Sequence, residues 1–186
     1  MPKREPSTTT VIRAASMSDA ASIRAVYAPY VCDTSITFEE EVPSVAEFAA
    51  RISAKPRLPW LIAEYDGRTA GYAYASKHRA RASYRWSADV SVYLDADCHG
   101  RGVGRALYDR LLAEVRELGY ITVFAGITMP NPASVGLHRS AGFEPVGTYR
   151  NVGYKQNSWH DVSWWALPLV AEPPANPAEP REWPST

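Results

Sequence analysis

The sequence predicts a single α/β domain built on a mixed sheet with helices on its faces. Three observations lead there. A chain of 186 residues, 46% hydrophobic and 11% aromatic, is long enough to bury one core and too short to need two. Its apolar spacing switches repeatedly between the two-residue period of a strand and the 3.6-residue period of a helix, with no internal repeat. Strands joined by a tight turn are followed by strand–helix–strand units, an order that mixes antiparallel with parallel pairing.

The elements follow in turn. Residues 11–14 read as a short strand, and Ser18 opens a helix whose apolar positions Ile23, Val26, Tyr27 and Tyr30 recur at helical spacing. Ser44-Val45-Ala46-Glu47 has the form of a capping box, in which serine and glutamate satisfy each other's backbone donors, so a second helix is expected to about Ala54. Residues 60–65 and 69–76 are strand-like and separated by Asp66-Gly67-Arg68, a turn that glycine allows, which makes a hairpin. Residues 86–94 form a further strand, 102–118 a helix, 122–127 a strand and 134–141 a helix, and two strands take up 144–167. Residues 1–9 are expected to be loose and residues 10–170 to form the domain. Residues 171–186 hold five of the fifteen prolines among Glu, Ala and Ser, and read as a disordered tail.

Composition excludes some partners. Lys plus Arg and Asp plus Glu are 20 each and the pI is about 6.9, so no overall field draws the chain to nucleic acid or an anionic membrane, and any anion must be held locally. Cys32 and Cys98 make neither a metal spacing nor a disulfide framework, which suits the reducing cytoplasm, and no metal is expected. The start, M-P-K-R-E-P-S-T-T-T, has no apolar segment behind it, and no window approaches the ~20 apolar residues of a membrane span.

The most informative stretch is D-C-H-G-R-G-V-G-R-A-L-Y, residues 97–108. The helix it opens carries Val103, Leu107, Leu111, Val115 and Leu118 on one stripe and Arg105, Asp109 and Arg116 opposite, so it packs on a sheet. Its first turn leaves backbone N–H groups without intrahelical partners, and Gly100, Gly102 and Gly104 remove the side chains that would keep an anion away. Arg101 and Arg105 add charge. Taken alone, the glycines could simply cap a helix and the arginines coat it. Two familiar loops are excluded: no lysine follows to reach a terminal phosphate, and a dinucleotide fingerprint would follow the first strand rather than a mid-chain hairpin.

The order strand, H-G-R-G-V-G, long helix, strand and N-P-A-S-V-G-L-H-R-S-A-G-F resembles the GNAT superfamily of acetyl-CoA-dependent N-acetyltransferases, with His99 where Gln or Arg is usual. The stretches D-T-S-I-T-F (residues 33–38), P-W-L-I-A-E-Y-D-G (59–67), Y-R-W-S-A-D-V-S-V-Y (84–93) and N-S-W-H-D-V-S-W-W (157–165) are similar to the phosphinothricin N-acetyltransferase family within it, across most of residues 11–168. The resemblance implies a mostly antiparallel twisted sheet, splayed where the cofactor enters. Acetyl-CoA would lie between the strands at 86–94 and 122–127, its pantetheine amides against the backbone of Val92, Tyr93 and Leu94. Its pyrophosphate would meet His99, Gly100, Arg101, Gly102, Val103, Gly104 and Arg105, and Asn131 would steady the pantetheine arm. Asn131 could equally be a helix cap before Pro132.

The chemistry such a family performs needs few groups. A substrate amine arrives as an ammonium ion, so a base must take its proton before nitrogen attacks the thioester, and the departing thiolate benefits from an acid. Asp89 lies mid-strand, a costly place for a carboxylate unless it faces a polar cleft. It aligns with the family's strand carboxylate, usually Glu, and the shorter side chain is expected to act through water; an acid on the solvent face is the ordinary alternative. His138 falls where the family carries a histidine and is expected on the proton path, as acid or as partner to Asp89, whereas a lone helical histidine is more often a packing residue. Arg79, Arg81 and Tyr84 occupy the basic-aromatic loop expected to select an anionic acceptor, since a guanidinium can grip carboxylate or phosphinate with two bonds. Phe38 would close the other side of the cleft. A solvated loop and a core phenylalanine are the plain alternatives. Adjacent strand residues face opposite ways, so His160 and Asp161 cannot form a dyad with each other; by resemblance their region serves a homodimer. The expected activity is acetylation of a small anionic amino acid such as phosphinothricin or methionine sulfoximine. A protein N-terminus or a polyamine is the alternative acceptor, the basic loop opposing the latter. A silent acetyl-CoA-binding module is the alternative of another class, opposed by the joint presence of Asp89 and His138.

Overall fold

A computed structural model describes residues 10–184, so the expectation for residues 1–9 lies outside the described residues. The chain runs β1 (Thr10–Ala14), α1 (Ala20–Asp33), α2 (Val45–Ser53), β2 (Trp60–Tyr65), β3 (Arg68–Lys77), β4 (Ser87–Leu94), α3 (Val103–Glu117), β5 (Thr122–Met129), α4 (Pro132–Ser140), β6 (Glu144–Lys155) and β7 (Ser158–Pro168). Seven strands make one sheet in the order β1-β2-β3-β4-β5-β7-β6. Among the described residues only β4 and β5 pair in parallel.

Local chemistry explains the element ends. Asp66 and Gly67 both adopt positive φ, 51° and 71°, the turn whose twist matches that of two antiparallel strands; Gln156 and Asn157, at 52° and 57°, repeat it between β6 and β7. Ser44 and Glu47 form the expected capping box, Glu47 Oε2 accepting from Ser44 N at 2.7 Å and Ser44 Oγ from Glu47 N at 3.2 Å. A short 3₁₀ turn over Met17–Asp19 precedes α1, so the helix proper begins at Ala20 rather than near Ser18. Asp19 holds that turn, accepting from Ser16 N at 2.8 Å and from both terminal nitrogens of Arg13 at 2.9 and 2.8 Å.

Helices cover both faces of the sheet. On one, Val103, Leu107, Leu111 and Val115 of α3 pack on Ala88, Val90, Val123, Ala125 and Ile127. On the other, Ile23, Val26 and Tyr27 of α1 and Phe48 and Ile52 of α2 pack on Trp60, Ile62 and Tyr72. Leu107 and Leu111 are wholly buried, and truncating either to alanine would cost about 2–5 kcal/mol.

Two features bear on the site. Pairing between β4 and β5 stops after Ser87–Thr122, Ala88–Val123 and Asp89–Phe124, and beyond Asp89 the strands part like a fork. The described part of the Pro-rich segment also departs from the expected disorder. Trp86 Nε1 donates to Ala178 O at 2.8 Å, Arg181 N to Leu118 O at 2.8 Å and Trp183 N to Arg57 O at 2.8 Å, and the Trp183 ring is buried against the α3 core. One tryptophan supplies the apolar area that the composition of its neighbours lacks.

Candidate active site

The fork positions everything else. Asp95 N donates to Ala70 O across the β3 edge, so by alternation Val90, Val92 and Leu94 turn their backbone groups towards the gap, and Ser91 and Tyr93 turn theirs towards β3. The groups of Leu94 are taken by Tyr30, whose hydroxyl donates to Leu94 O at 2.7 Å and lies 3.3 Å from Leu94 N. Of the expected Val92, Tyr93 and Leu94, only Val92 therefore has both backbone groups free for an incoming amide, joined by the carbonyl of Val90, whose N–H belongs to the Asp89–Phe124 pairing. The Tyr93 side chain packs instead with Tyr27, Tyr30 and Tyr72 on the α1 face.

Beside the gap, on the α3 side, a cleft of about 370 Å³ runs past Tyr30, Val92, Gly100, Gly104, Asn131 and Leu137. Glycine is required here for two different reasons. Gly102 has φ +79° and an open position where a Cβ would stand, so any other residue would be strained there by about 1–2 kcal/mol. A Cβ on Gly104 would meet Leu94 at 3.2 Å and Leu137 at 3.3 Å, filling the cleft wall. Such a cradle of bare backbone at the start of a helix fits a pyrophosphate. His99 and Arg105 line the same cleft, His99 Nε2 lying 3.2 Å from the Tyr30 hydroxyl and Arg105 held by Asp109 at 2.7 Å and Ser140 O at 2.6 Å. Arg101 turns elsewhere, donating to Asp97 O at 2.9 Å with its guanidinium over Tyr65. The Val103 side chain is core, so that position can act only through its backbone. Asn131 caps α4, its Oδ1 accepting from Ser134 N at 3.0 Å while the residue lines the cleft.

The gap itself encloses a cavity of about 50 Å³, walled by β4, β5 and, on the α3 side, Tyr108, Ser134 and His138. His138 is 3% exposed. Its Nδ1 lies 2.8 Å from the Ser134 carbonyl, which can only accept, so Nδ1 carries the proton and Nε2 accepts from the Tyr108 hydroxyl at 2.9 Å. Burial pushes the imidazole below its usual range and the phenol well above its own. His138 is thus a neutral, doubly bonded ring that aims the Tyr108 hydroxyl.

Asp89 stands at the crotch of the fork on the opposite face. Ala88, Val90, Val123, Ala125 and Ile127 join the α3 core, so alternation puts Asp89, Ser91, Phe124 and Gly126 on the α1 face. The structure does not bring Asp89 and His138 together. The partner of Asp89 is His78, just past the end of β3, with Nδ1 2.6 Å from Oδ1. Burial raises the Asp89 carboxyl above its ordinary range, and the bond from His78 opposes that shift. The His78 ring stacks on Phe124 at 4.3 Å and meets Tyr84 and Trp164 edge-on at 5.9 and 6.2 Å. Sequence reasoning passed His78 over. The signal was there in period two: Ser76 pairs with Asp89, and His78 lies two residues on, on the same face.

Around this pair the expected acceptor residues divide. The Arg79 guanidinium lies over the Trp164 ring at 5.4 Å, and Tyr84 touches His78. Arg81 lines a neighbouring cavity of about 340 Å³, whose wall Arg79 and Tyr84 share with Arg85 and Arg181, and it lines neither cavity of the fork. Phe38 closes the far side by lying over Gly153 of β6, where a Cβ would stand 2.3 Å from its ring. Lys155 fastens that loop, donating to Val31 O at 2.7 Å and Thr37 O at 2.9 Å. His160 donates to Lys155 O at 3.0 Å and Asp161 takes Arg150 at 2.6 Å, so the two neighbours make no dyad. Among the described residues no group of His, Cys, Asp and Glu could hold a metal ion, and no helix is long and apolar enough to cross a membrane.

Comparison with known proteins places the chain in a family. The family model for an acetyltransferase (GNAT) domain matches residues 12–164. A phosphinothricin N-acetyltransferase of Streptomyces viridochromogenes is 34% identical over 180 residues, covering 96% of this chain and 97% of that one. An L-methionine sulfoximine/L-methionine sulfone acetyltransferase of Salmonella typhimurium is 32% identical over 160 residues, covering 85% and 94%. Among solved structures, a GNAT superfamily phosphinothricin acetyltransferase from Sinorhizobium meliloti in complex with AcCoA superposes with TM-score 0.87 at 35% identity, covering 92% of this chain and 94% of that one.

Proposed function

Because this chain belongs to the GNAT acetyltransferase family, we propose that it transfers an acetyl group from acetyl-CoA to the amino group of a small amino acid with an oxygen-rich head, of the kind represented by phosphinothricin and methionine sulfoximine. The observation that carries the reading is the fork between β4 and β5, with a bare-backbone cleft on one face and the His78–Asp89 pair on the other.

When bound, acetyl-CoA supplies the activated thioester. The residues that would hold it are Val92 through its backbone and Val90 through its carbonyl, the Gly100–Gly102–Gly104 loop with His99 and Arg105, and Asn131. Asp89 with His78 receives the proton that the ammonium must lose. The Tyr108 hydroxyl lines the gap, and by turning its one proton from His138 Nε2 to the departing sulfur it serves as the donor for the negative charge that develops there. Arg79 and Tyr84 flank the acceptor side, and Phe38 covers it. Arg79 suits a carboxylate, phosphinate or sulfoximine oxygen and disfavours a cationic polyamine.

The exposed apolar side chains of β6 and β7, Tyr149, Val152, Tyr154 and Trp159 among them, support a homodimer through this hairpin. Free thiols at Cys32 and Cys98 support a reducing cytoplasm. The test is the purified protein with acetyl-CoA and a panel of amino-acid analogues, peptides and polyamines, following thiol release. Efficient turnover of phosphinothricin or methionine sulfoximine is expected; turnover of spermidine or peptide N-termini alone would replace the acceptor assignment, and no turnover of any amine would remove the enzyme reading.

A further inference from the structure

The His78–Asp89 contact has the geometry of a unit rather than of two neighbours. An ionised Asp89 can only accept, so in the neutral pair His78 Nδ1 carries the proton across the 2.6 Å bond, and Nε2 is left with its lone pair. Among the described residues no protein group bonds to Nε2, and the side chain is 11% exposed. The ring has no freedom to wander: the bond to Asp89 fixes its rotation, and the stack on Phe124, 18° from parallel, fixes its tilt. Titratable and charged groups facing it are Asp89 from β4, with Arg79 and Tyr84 from its own loop; Phe124 of β5 and Trp164 of β7 complete the surround without charge. A half-buried aspartate alone has a short reach, and a carboxylate is a poor match to an ammonium at neutral pH, where an imidazole is well matched.

We propose that His78 is the proton acceptor for the incoming amine and that Asp89 acts through it as a positioning residue; this rests on the acetyltransferase reading. The ammonium N–H bond breaks as the Nε2–H bond forms, giving a free amine and an imidazolium whose charge Asp89 offsets across the Nδ1 bond. The amine lone pair then forms the N–C bond while the C–S bond breaks, its electron pair leaving on sulfur; the second N–H bond of the new amide breaks and that proton goes to the thiolate, giving the free thiol. The imidazolium returns its proton to solvent before the next cycle.

The experiment uses the whole protein, with steady-state kinetics on phosphinothricin and ¹⁵N-histidine NMR. His78→Gln should lower kcat by ~100-fold or more, leave the KM for acetyl-CoA within about twofold, and remove the ionisation that governs kcat/KM against pH. Asp89→Asn should lower kcat and displace that ionisation without removing it. In the NMR titration of the wild type, Nδ1 of His78 should stay protonated while Nε2 titrates, a measurement that stands even where a variant fails to fold. Acetyl transfer by the wild type with an unchanged pH profile in His78→Gln would overturn this inference alone, as would a bare Nδ1. A wild type that acetylates no amine would overturn the acetyltransferase reading and this inference with it.

Discussion

The ring of Phe38 lies so close to Gly153 that a methyl group placed on that backbone would stand 2.3 Å from it. Phe38 is 39% exposed, so in Gly153→Ala the ring gives way rather than the hairpin. The KM for the amine should rise several-fold while that for acetyl-CoA holds, and Tm should fall by only a few degrees. Phe38→Ala should show the same KM change, and the double variant should add little to either, as expected when one contact underlies both.

Gly104→Val tests the opposite face. Its side chain would press on Leu94 and Leu137, already 3.2 and 3.3 Å from a Cβ, and would protrude into the cofactor cleft. Acetyl-CoA binding measured by calorimetry should weaken by about tenfold or more, roughly 1.4 kcal/mol, with the fold retained in circular dichroism. Unaltered affinity would show that the glycine loop is a helix cap and nothing else.

His138 and Tyr108 make a prediction about stability as well as rate. Burial holds His138 below its usual range in the folded protein, so as pH falls the unfolded chain takes up this proton first. The unfolded state then binds more protons, and stability falls as pH drops below about 6.5, the ordinary imidazole value. His138→Gln can keep both hydrogen bonds without titrating, so its denaturant midpoint should fall less between pH 7 and pH 5 than that of the wild type. Tyr108→Phe should lose about 1–3 kcal/mol by leaving Nε2 buried without a donor, and should reduce kcat more than either KM.

Asp19 supplies a second pH window. The Arg13 guanidinium beside it, helped by Ser16, holds its carboxyl at about 2, against an ordinary 3.8. A depressed carboxylate adds stability that is complete above about pH 4 and is lost as pH falls towards 2, here up to about 2 kcal/mol. Asp19→Asn should therefore be less stable than the wild type at pH 6 and nearly equal to it at pH 2, read from urea midpoints across that range.

What could be read in the sequence was whatever depends on near neighbours. The Ser44–Glu47 box, the Asp66-Gly67 turn and the Gly100–Gly104 helix start are local rules, and their elements lie within a few residues of the expected bounds. What could not be read depends on register. His78 meets Asp89 only once β3 is set against β4, Tyr30 reaches Leu94 from 64 residues away, and Tyr108 finds His138 across two helices. Arg101 and Arg105 look alike in the sequence, yet one turns to Tyr65 and the other lines the cleft. Composition also misjudged the segment after Ala171, where the single Trp183 outweighs the prolines around it.

The parting of β4 from β5 just beyond Asp89 governs traffic as well as chemistry. A molecule seated against Gly102 and Gly104 approaches from the α3 side, and one beside His78 and Arg79 approaches from the other, so neither stands in the other's doorway. Addition of the two reactants in either order is the kinetic pattern this predicts. Spent coenzyme should compete with fresh acetyl-CoA but not with the amine, and the acetylated product should compete with the amine but not with acetyl-CoA. The sheet acts as a partition with one slot in it, and the two reactants need meet only there.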